Sequence, residues 1–395
     1  MARSAAAAMP RMQDAVPRML HLVLFALFVA NAAWLVAMYL QHAFLFDLLG
    51  RPKPADFLNV WAAGRLALEG NAAAAYNWAV HKAAENAAVG YDFPGYYGWH
   101  YPPPFLFVAA ALATLPYVAA HLAWIAVTLP LFLFTLHRIV GHPVGWLVAA
   151  GFPAVATNVI VGQNGFLTAS LIGGTLGFMR ARPVLSGLCL GLLTYKPQFG
   201  LLFPIVLIAA RQWTVFWVAA IAGSALAVAS SLVFGTEAWR AFFEWLPVTS
   251  EAVLKEGRAD LGKQQSVFAV VRVLGGSEVL AWAVQISITL ITAAALCLLW
   301  PSRAPFELKA AALAAGTLLA SPYVYLYDVV VLAVAAAFLV RLCLVTGFRS
   351  HEPVALAAAA ILLSSFPFVP APVALGATMI VIVLIVLRIR PASAG

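Results

Sequence analysis

The chain has 395 residues, of which 64% are hydrophobic and 10% charged, and it carries a formal net charge of +8. Soluble domains carry about 25% charged residues, and one globular core cannot hide this much apolar surface, so the composition implies a polytopic membrane protein. The apolar runs are continuous rather than alternating, which excludes a β-barrel and leaves helices, whose backbone groups satisfy one another in lipid.

Basic residues stand singly or in pairs at the ends of apolar runs. That is a topology signal and not a nucleic-acid stripe, so membrane lipids and no nucleic acid are the expected surroundings. Cys189, Cys297 and Cys343 fall in separate apolar runs with neither zinc nor disulfide spacing.

In chain order, Arg3, Arg11 and Arg18 precede an apolar run over residues 20–40. Ala30-Asn31-Ala32 resembles a signal-peptide cleavage site, but the run continues past it, which favours an uncleaved anchor with a cytoplasmic N-terminus. A first extracytoplasmic loop then covers residues 41–104. In it, Asp56 opens a helical pattern with Phe57, Val60, Trp61, Gly64 and Leu68 on one face and Arg65 and Glu69 as an i,i+4 pair, which predicts an amphipathic helix lying apolar side down on the membrane. Residues 105–115, bounded by prolines, are too short to cross and are expected to dip into the interface.

Crossings over 117–136, 144–161, 166–179, 184–195, 199–210 and 213–234 lead to a second extracytoplasmic loop, residues 235–277. Further crossings over 279–300, 310–320, 328–345, 354–368 and 373–387 give about twelve membrane helices with both termini inside. The expected fold is thus an all-α polytopic membrane protein, one integral domain over residues 1–395, in the inner (plasma) membrane. The short outer turns 162–165, 196–198, 321–327 and 367–372 contain one basic residue, Lys196, and every acidic residue except Asp14, Glu307 and Glu352 falls on the outer side or at outer helix ends. The polar groups with chemical promise therefore share the extracytoplasmic face.

Several of them have two readings. Asp56 is either a helix N-cap or a carboxylate held over a cleft, and the two are compatible. Lys196, in Lys196-Pro197-Gln198 between two apolar runs, needs an anionic partner such as a lipid phosphate, or it snorkels to the interface. Gln163 and Asn164, between Gly162 and Gly165, offer amides suited to sugar hydroxyls, in what is also an ordinary turn sequence. Lys255, Arg258, Lys263 and Arg272, near Gln264-Gln265-Ser266, either grip phosphate or solvate the loop, with Lys263 and Arg272 the better candidates. The tyrosines of residues 321–327 suit an interfacial belt. Asp328 is a comfortable helix-start carboxylate, or a second acid that orients an acceptor.

No nucleotide-binding glycine fingerprint, P-loop, HExxH, nucleophile elbow or DxD pair occurs, and the sequence demands neither a cofactor nor a metal. A transferase acting outside without nucleotide chemistry needs a pre-activated donor, and a sugar on polyprenyl phosphate meets that need. The rival class is a transporter or lipid-linked-sugar flippase. It predicts internal repeats and polar residues at mid-span, whereas the sequence shows no repeat and gathers its polar groups on one face.

The runs DFLNVWAAGRLALEGNAAAAYN (56–77), YPPPFLFVAAALATLPYVAAHLAW (101–124), GQNGFLTASLI (162–172) and GLCLGLLTYKPQFGLL (187–202), in that order, resemble glycosyltransferase family 87. The resemblance implies a GT-C-type inverting transferase with a polyprenyl-phosphate-mannose or related donor and a lipid or glycan acceptor. It also implies a catalytic aspartate in the first outer loop, which falls on Asp56 as general base. Lys196, Lys263 and Arg272 are then the expected donor-phosphate contacts, and Tyr101, Gln163, Asn164, Gln198, Gln264 and Asp328 the expected substrate contacts. Relatives often carry a histidine after the Ser-Pro of the later outer turn. This chain has Tyr323 there, so that histidine's role does not transfer.

Overall fold

Long apolar runs flanked by charge become long helices. The computed structural model describes residues 16–251, 263–366, 368–369 and 371–389, so Arg3, Arg11, Lys255, Arg258 and Arg390 lie outside the described residues. The described chain is helical, and its only extended pairings are the isolated bridges Phe46–Pro52 and Gln264–Tyr325. After α1 (Arg18–Leu40), the first loop holds α2 (Phe57–Leu68), a 3-10 turn at Ala72–Tyr76 and α3 (Trp78–Val89), and α4 (Leu106–Ala113) follows a 3-10 turn at Pro103–Phe105. Next come α5 (Tyr117–Val140), α6 (Val144–Ala150), α7 (Val155–Val161), α8 (Gly165–Phe178) and α9 (Pro183–Leu192), which a 3-10 turn extends through Tyr195. The middle of the chain forms α10 (Pro197–Gly200), α11 (Leu202–Ala209), α12 (Trp213–Phe234) and α13 (Thr236–Ser250). The remainder forms α14 (Val267–Val273), α15 (Glu278–Leu299), α16 (Phe306–Ala320), α17 (Val331–Thr346), α18 (His351–Ser364) and α19 (Val373–Ile389), with a 3-10 turn at Asp328–Val330 leading into α17.

Among the described residues, five helices are long and apolar enough to cross a membrane, or six if α6 and α7, bent by 50°, make one span. Seven other apolar helices have 10–17 residues. The expected number of twelve spans is not reached by length. A helix such as α8, with 14 residues, rises about 21 Å against a hydrocarbon core of about 30 Å.

Packing separates lipid-facing from central helices. The α1 window is 6% buried and those of α12 and α15 11%, whereas the span entering α17 is 78% buried. The small residues of α16 (Ala310, Ala311, Ala314, Ala315, Gly316) are all buried and let α17 and α19 approach closely. At the end of α17 remote from Asp328, Arg388 of α19 pairs with Glu352 of α18 and donates to the Gly347 carbonyl at 2.7 Å, tying three helices together.

Helix α2 corrects the sequence expectation. Its i,i+4 pair forms, Arg65 to Glu69 at 2.8 Å, but its apolar face is covered by protein rather than lipid. It packs on α4, α3 and the Ala72–Tyr76 turn. A Cβ on Gly64 would lie 2.0 Å from the Ala109 carbonyl oxygen, so α2 and α4 touch backbone to backbone. An amphipathic pattern specifies an apolar covering and not which covering; here the first loop supplies its own. Inside that loop, His81 and Glu85 are fully buried, and the Tyr97 amide donates to Glu85 Oε1 at 3.1 Å, fixing the stretch that leads to Tyr101.

Candidate functional site

The site is assembled from six segments that are distant in sequence. The α7–α8 turn lies directly beneath the first residue of α2. Gly162 has φ +67°, and a Cβ there would come within 2.6 Å of both His121 Nε2 and Phe57 Cβ, so glycine is required on both counts. That close fit places Gln163 against Asp56.

Asp56 occupies the N-cap position of α2, but its side chain makes no capping bond, and the Ala55 carbonyl closes the first turn instead, accepting from Leu58 N at 2.8 Å. Its Oδ2 accepts from Gln163 Nε2 at 3.5 Å. The oxygen of Gln163 is already engaged, accepting from the Tyr101 hydroxyl at 3.0 Å and from Asn164 N at 3.4 Å, so the network turns the amide NH₂ toward the carboxylate. Loss of water around Asp56 pushes its pKa up to about 6. The Gln163 hydrogen bond and the charge of Lys263 pull the other way, and the negative charge of Asp328 adds to the rise. Asp56 also lines a cavity of about 160 Å³, together with Phe44, Lys53, Tyr97, Tyr117 and Val118 among others.

Lys196, at the tip between α9 and α10, is 5% exposed and does not snorkel. Its anionic partner is Asp328, at 2.6 Å, and Asp328 also accepts from Tyr325 N at 3.1 Å. Two residues 132 positions apart thus form one buried ion pair. Beside it, the Tyr195 hydroxyl bonds Thr168 at 2.6 Å and reaches the Asn164 carbonyl at 3.4 Å, which connects the pair to the Gln163 turn.

The second loop contributes Gln264, buried and bridged to Tyr325, and Gln265, whose amide donates to the Val324 carbonyl at 2.7 Å. Lys263 is exposed, and its charge reaches Asp56. The structure therefore brings together Asp56, Tyr101, Gln163, Asn164, Lys196, Lys263, Gln264 and Asp328. Gln198 is half-buried in α10, just past the tip. Arg272 does not join the group. Among the described residues its guanidinium reaches the Gly276 carbonyl, at 3.1 Å, and so closes the end of its own helix.

Sequence reasoning passed over Lys53, Tyr97 and Tyr195. Lys53, three residues before Asp56, was the most accessible of these signals, whereas the two tyrosines become legible only when the segments meet.

No curated protein and no solved structure is significantly similar to the chain. A family model matches residues 99–322, a stretch that contains Tyr101, Gln163, Asn164, Lys196, Lys263, Gln264 and Arg272 but neither Asp56 nor Asp328. That match covers more than half of a chain built of apolar helices around a polar, carboxylate-bearing site, and the protein belongs to glycosyltransferase family 87.

Proposed function

We propose that this membrane glycosyltransferase is of GT-C type and moves a hexose, mannose in the first instance, from a polyprenyl-phosphate donor to an acceptor hydroxyl on the extracytoplasmic face, with inversion. The observation that carries the proposal is Asp56: a carboxylate released from capping, steadied by Gln163, and facing a cavity, with a pKa raised to about 6 by loss of water. A base of this kind is effective because it is ionised at neutral pH yet still takes up a proton readily.

In the proposed reaction the acceptor oxygen attacks the anomeric carbon while Asp56 takes its proton. The new C–O bond forms as the bond from the anomeric carbon to the phosphate oxygen breaks, and the electron pair leaves with polyprenyl phosphate. Lys263 offsets the charge on that leaving group. Lys196 assists it with the N–H donors that remain after its bond to Asp328, since an ammonium has three. Gln163 and Tyr101 hold the base in place, and Asn164, Gln198 and Gln264 supply polar groups for the sugar.

The test is incubation of the purified protein with radiolabelled polyprenyl-phosphate sugars and a membrane lipid extract. Label is expected in a new glycoconjugate, from the mannosyl donor first. Transfer from a nucleotide sugar, with none from any polyprenyl-phosphate sugar, would overturn the proposal.

A further inference from the structure

The span made by α6 and α7 is broken where the sequence dictates it. Gly151 and Pro153 fall between the two helices, and Pro153 has no N–H to continue the ladder, so the chain turns by 50° and leaves carbonyls of the last turn of α6 without an amide of their own helix. Inside a membrane such groups need a donor from protein, because lipid offers none. The donor comes from α1. Asn31 Nδ2 donates to the Ala150 carbonyl at 3.1 Å and to the Phe152 carbonyl at 3.0 Å, one on each side of Gly151. Phe152 O also accepts from the first amide of α7, Val155 N, at 3.0 Å. One side chain therefore holds the end of α6 and the start of α7 together.

Asn31 is out of character with its helix. Leu20, Leu24, Leu27, Asn31 and Leu35, spaced by three and four, form the stripe that α1 turns toward the protein, and four of the five are leucines. Gly151 makes the fit possible: a Cβ there would come within 2.5 Å of the Leu24 carbonyl oxygen, so α1 crosses the break backbone to backbone. From the break, the seven-residue α7 carries the bend straight to the site. The site end of α7 is fastened by the His121 ring on the Val159 carbonyl at 3.0 Å and by Asn158 Nδ2, which donates to the Tyr327 carbonyl at 2.9 Å, next to Asp328. Its other end is fastened by Asn31. Just past α7, Gly162 seats Gln163 against Asp56, while the far end of α1 leads into the loop that carries Asp56. A single helix thus borders both halves of the Asp56–Gln163 contact.

Resting on the transferase reading above, we infer that Asn31 is a positioning residue of the enzyme: by locking the bend between α6 and α7 it fixes where Gln163 meets Asp56. It touches neither substrate nor the reacting atoms. Without the lock, α7 pivots about its fastened end, and the contact between Gln163 and Asp56, already long at 3.5 Å, is the first to part.

Two measurements on the full chain in nanodiscs test this. Asn31→Leu keeps the bulk of the side chain and removes its donors, and Gly151→Val pushes α1 off the break from the other side. Both are compared with Val36→Ala, at an exposed position of the same helix. Without turnover, the pH at which a thermal-stability gap opens between a chain and its Asp56→Asn counterpart reports the Asp56 proton; Lys263 and Asp328, whose charges also act on Asp56, stay in place throughout. Asn31→Leu and Gly151→Val should raise that pH by about half a unit, about threefold in proton affinity, because the Gln163 hydrogen bond is lost, and should add nothing once Gln163→Leu is present. With turnover, kcat should fall about tenfold while the donor KM is unchanged. A shift that adds to that of Gln163→Leu, a shift equally large in Val36→Ala, or no shift in Asn31→Leu would overturn the inference. The expected shift in a chain that transfers no sugar from any polyprenyl-phosphate donor refutes the transferase reading and leaves the lock standing. Transfer by the parent, with the pH unmoved in Asn31→Leu, does the reverse.

Discussion

Replacing Asp56 with asparagine keeps the shape of the side chain and removes its charge, so the variant separates two effects of one carboxylate. Burial holds the Asp56 pKa at about 6 in the folded chain against an ordinary value of 3.8. A shift of about two units corresponds to about 3 kcal/mol of unfavourable interaction of the ionised form, an upper bound because the cavity admits some water. The sign follows from proton uptake. Between pH 4 and 6 the folded state holds this proton more tightly than the unfolded one, so the group's contribution to stability is greatest at low pH, declines as pH rises through 6, and leaves the full penalty above it. Asp56→Asn should therefore unfold at a higher temperature than the parent at pH 7 to 8, with the gap closing toward pH 4.5. Transfer should fall by about 10²- to 10⁴-fold, the usual worth of a general base. Scanning fluorimetry across pH, together with a radiolabel transfer assay on the same preparations, measures both. Equal stability at every pH would mean that the carboxylate is not desolvated, and turnover above about a tenth of the parent rate would remove it as the base.

Gln163→Leu deletes a hydrogen bond that lowers the Asp56 pKa, so the acid limb of the pH–rate profile should move above about 6 with little change in donor KM; an unmoved limb would make Gln163 a sugar contact only. Lys196→Met or Asp328→Leu alone strands one buried charge and should cost about 3–5 kcal/mol, while the double replacement recovers most of it, as read by thermal unfolding. Single variants as stable as the parent would show that the two groups are not paired. Gly162→Ala combines a left-handed backbone with a crowded Cβ and should cost about 1–3 kcal/mol, with activity lost beyond what the stability change explains; normal turnover would mean that the turn does not set the position of Gln163.

The long helices were legible in the sequence because a run of about twenty apolar residues ended by charge admits one interpretation in lipid. The bounds of α12 match the sequence expectation at both ends, and those of α1 and α15 differ from it by one or two residues. The short apolar runs were not so legible. Fourteen residues are read equally as a strained span or as a buried helix, and only packing decides, as it did for α2. The site was legible as a set of polar residues on one side but not as a set of bonds. Nothing at Lys196 announces Asp328, because the demand of a buried ammonium for a counter-charge names no residue and spans any separation. Arg272 shows the converse: a cation beside a promising loop donates to the Gly276 carbonyl in the turn just past its own helix.

The short helices have a physical consequence. The 14-residue α8 and the 15-residue α16 both terminate at the polar cluster and rise about 21–23 Å, while the 24-residue α5 rises about 36 Å. Most of α8 and α16 is buried by other helices, so protein and not lipid covers these short spans, and the polar cluster at their ends is set back into the helical body. In the reaction proposed above, the donor phosphate has to reach into that body to meet Lys196, whose side chain is buried there.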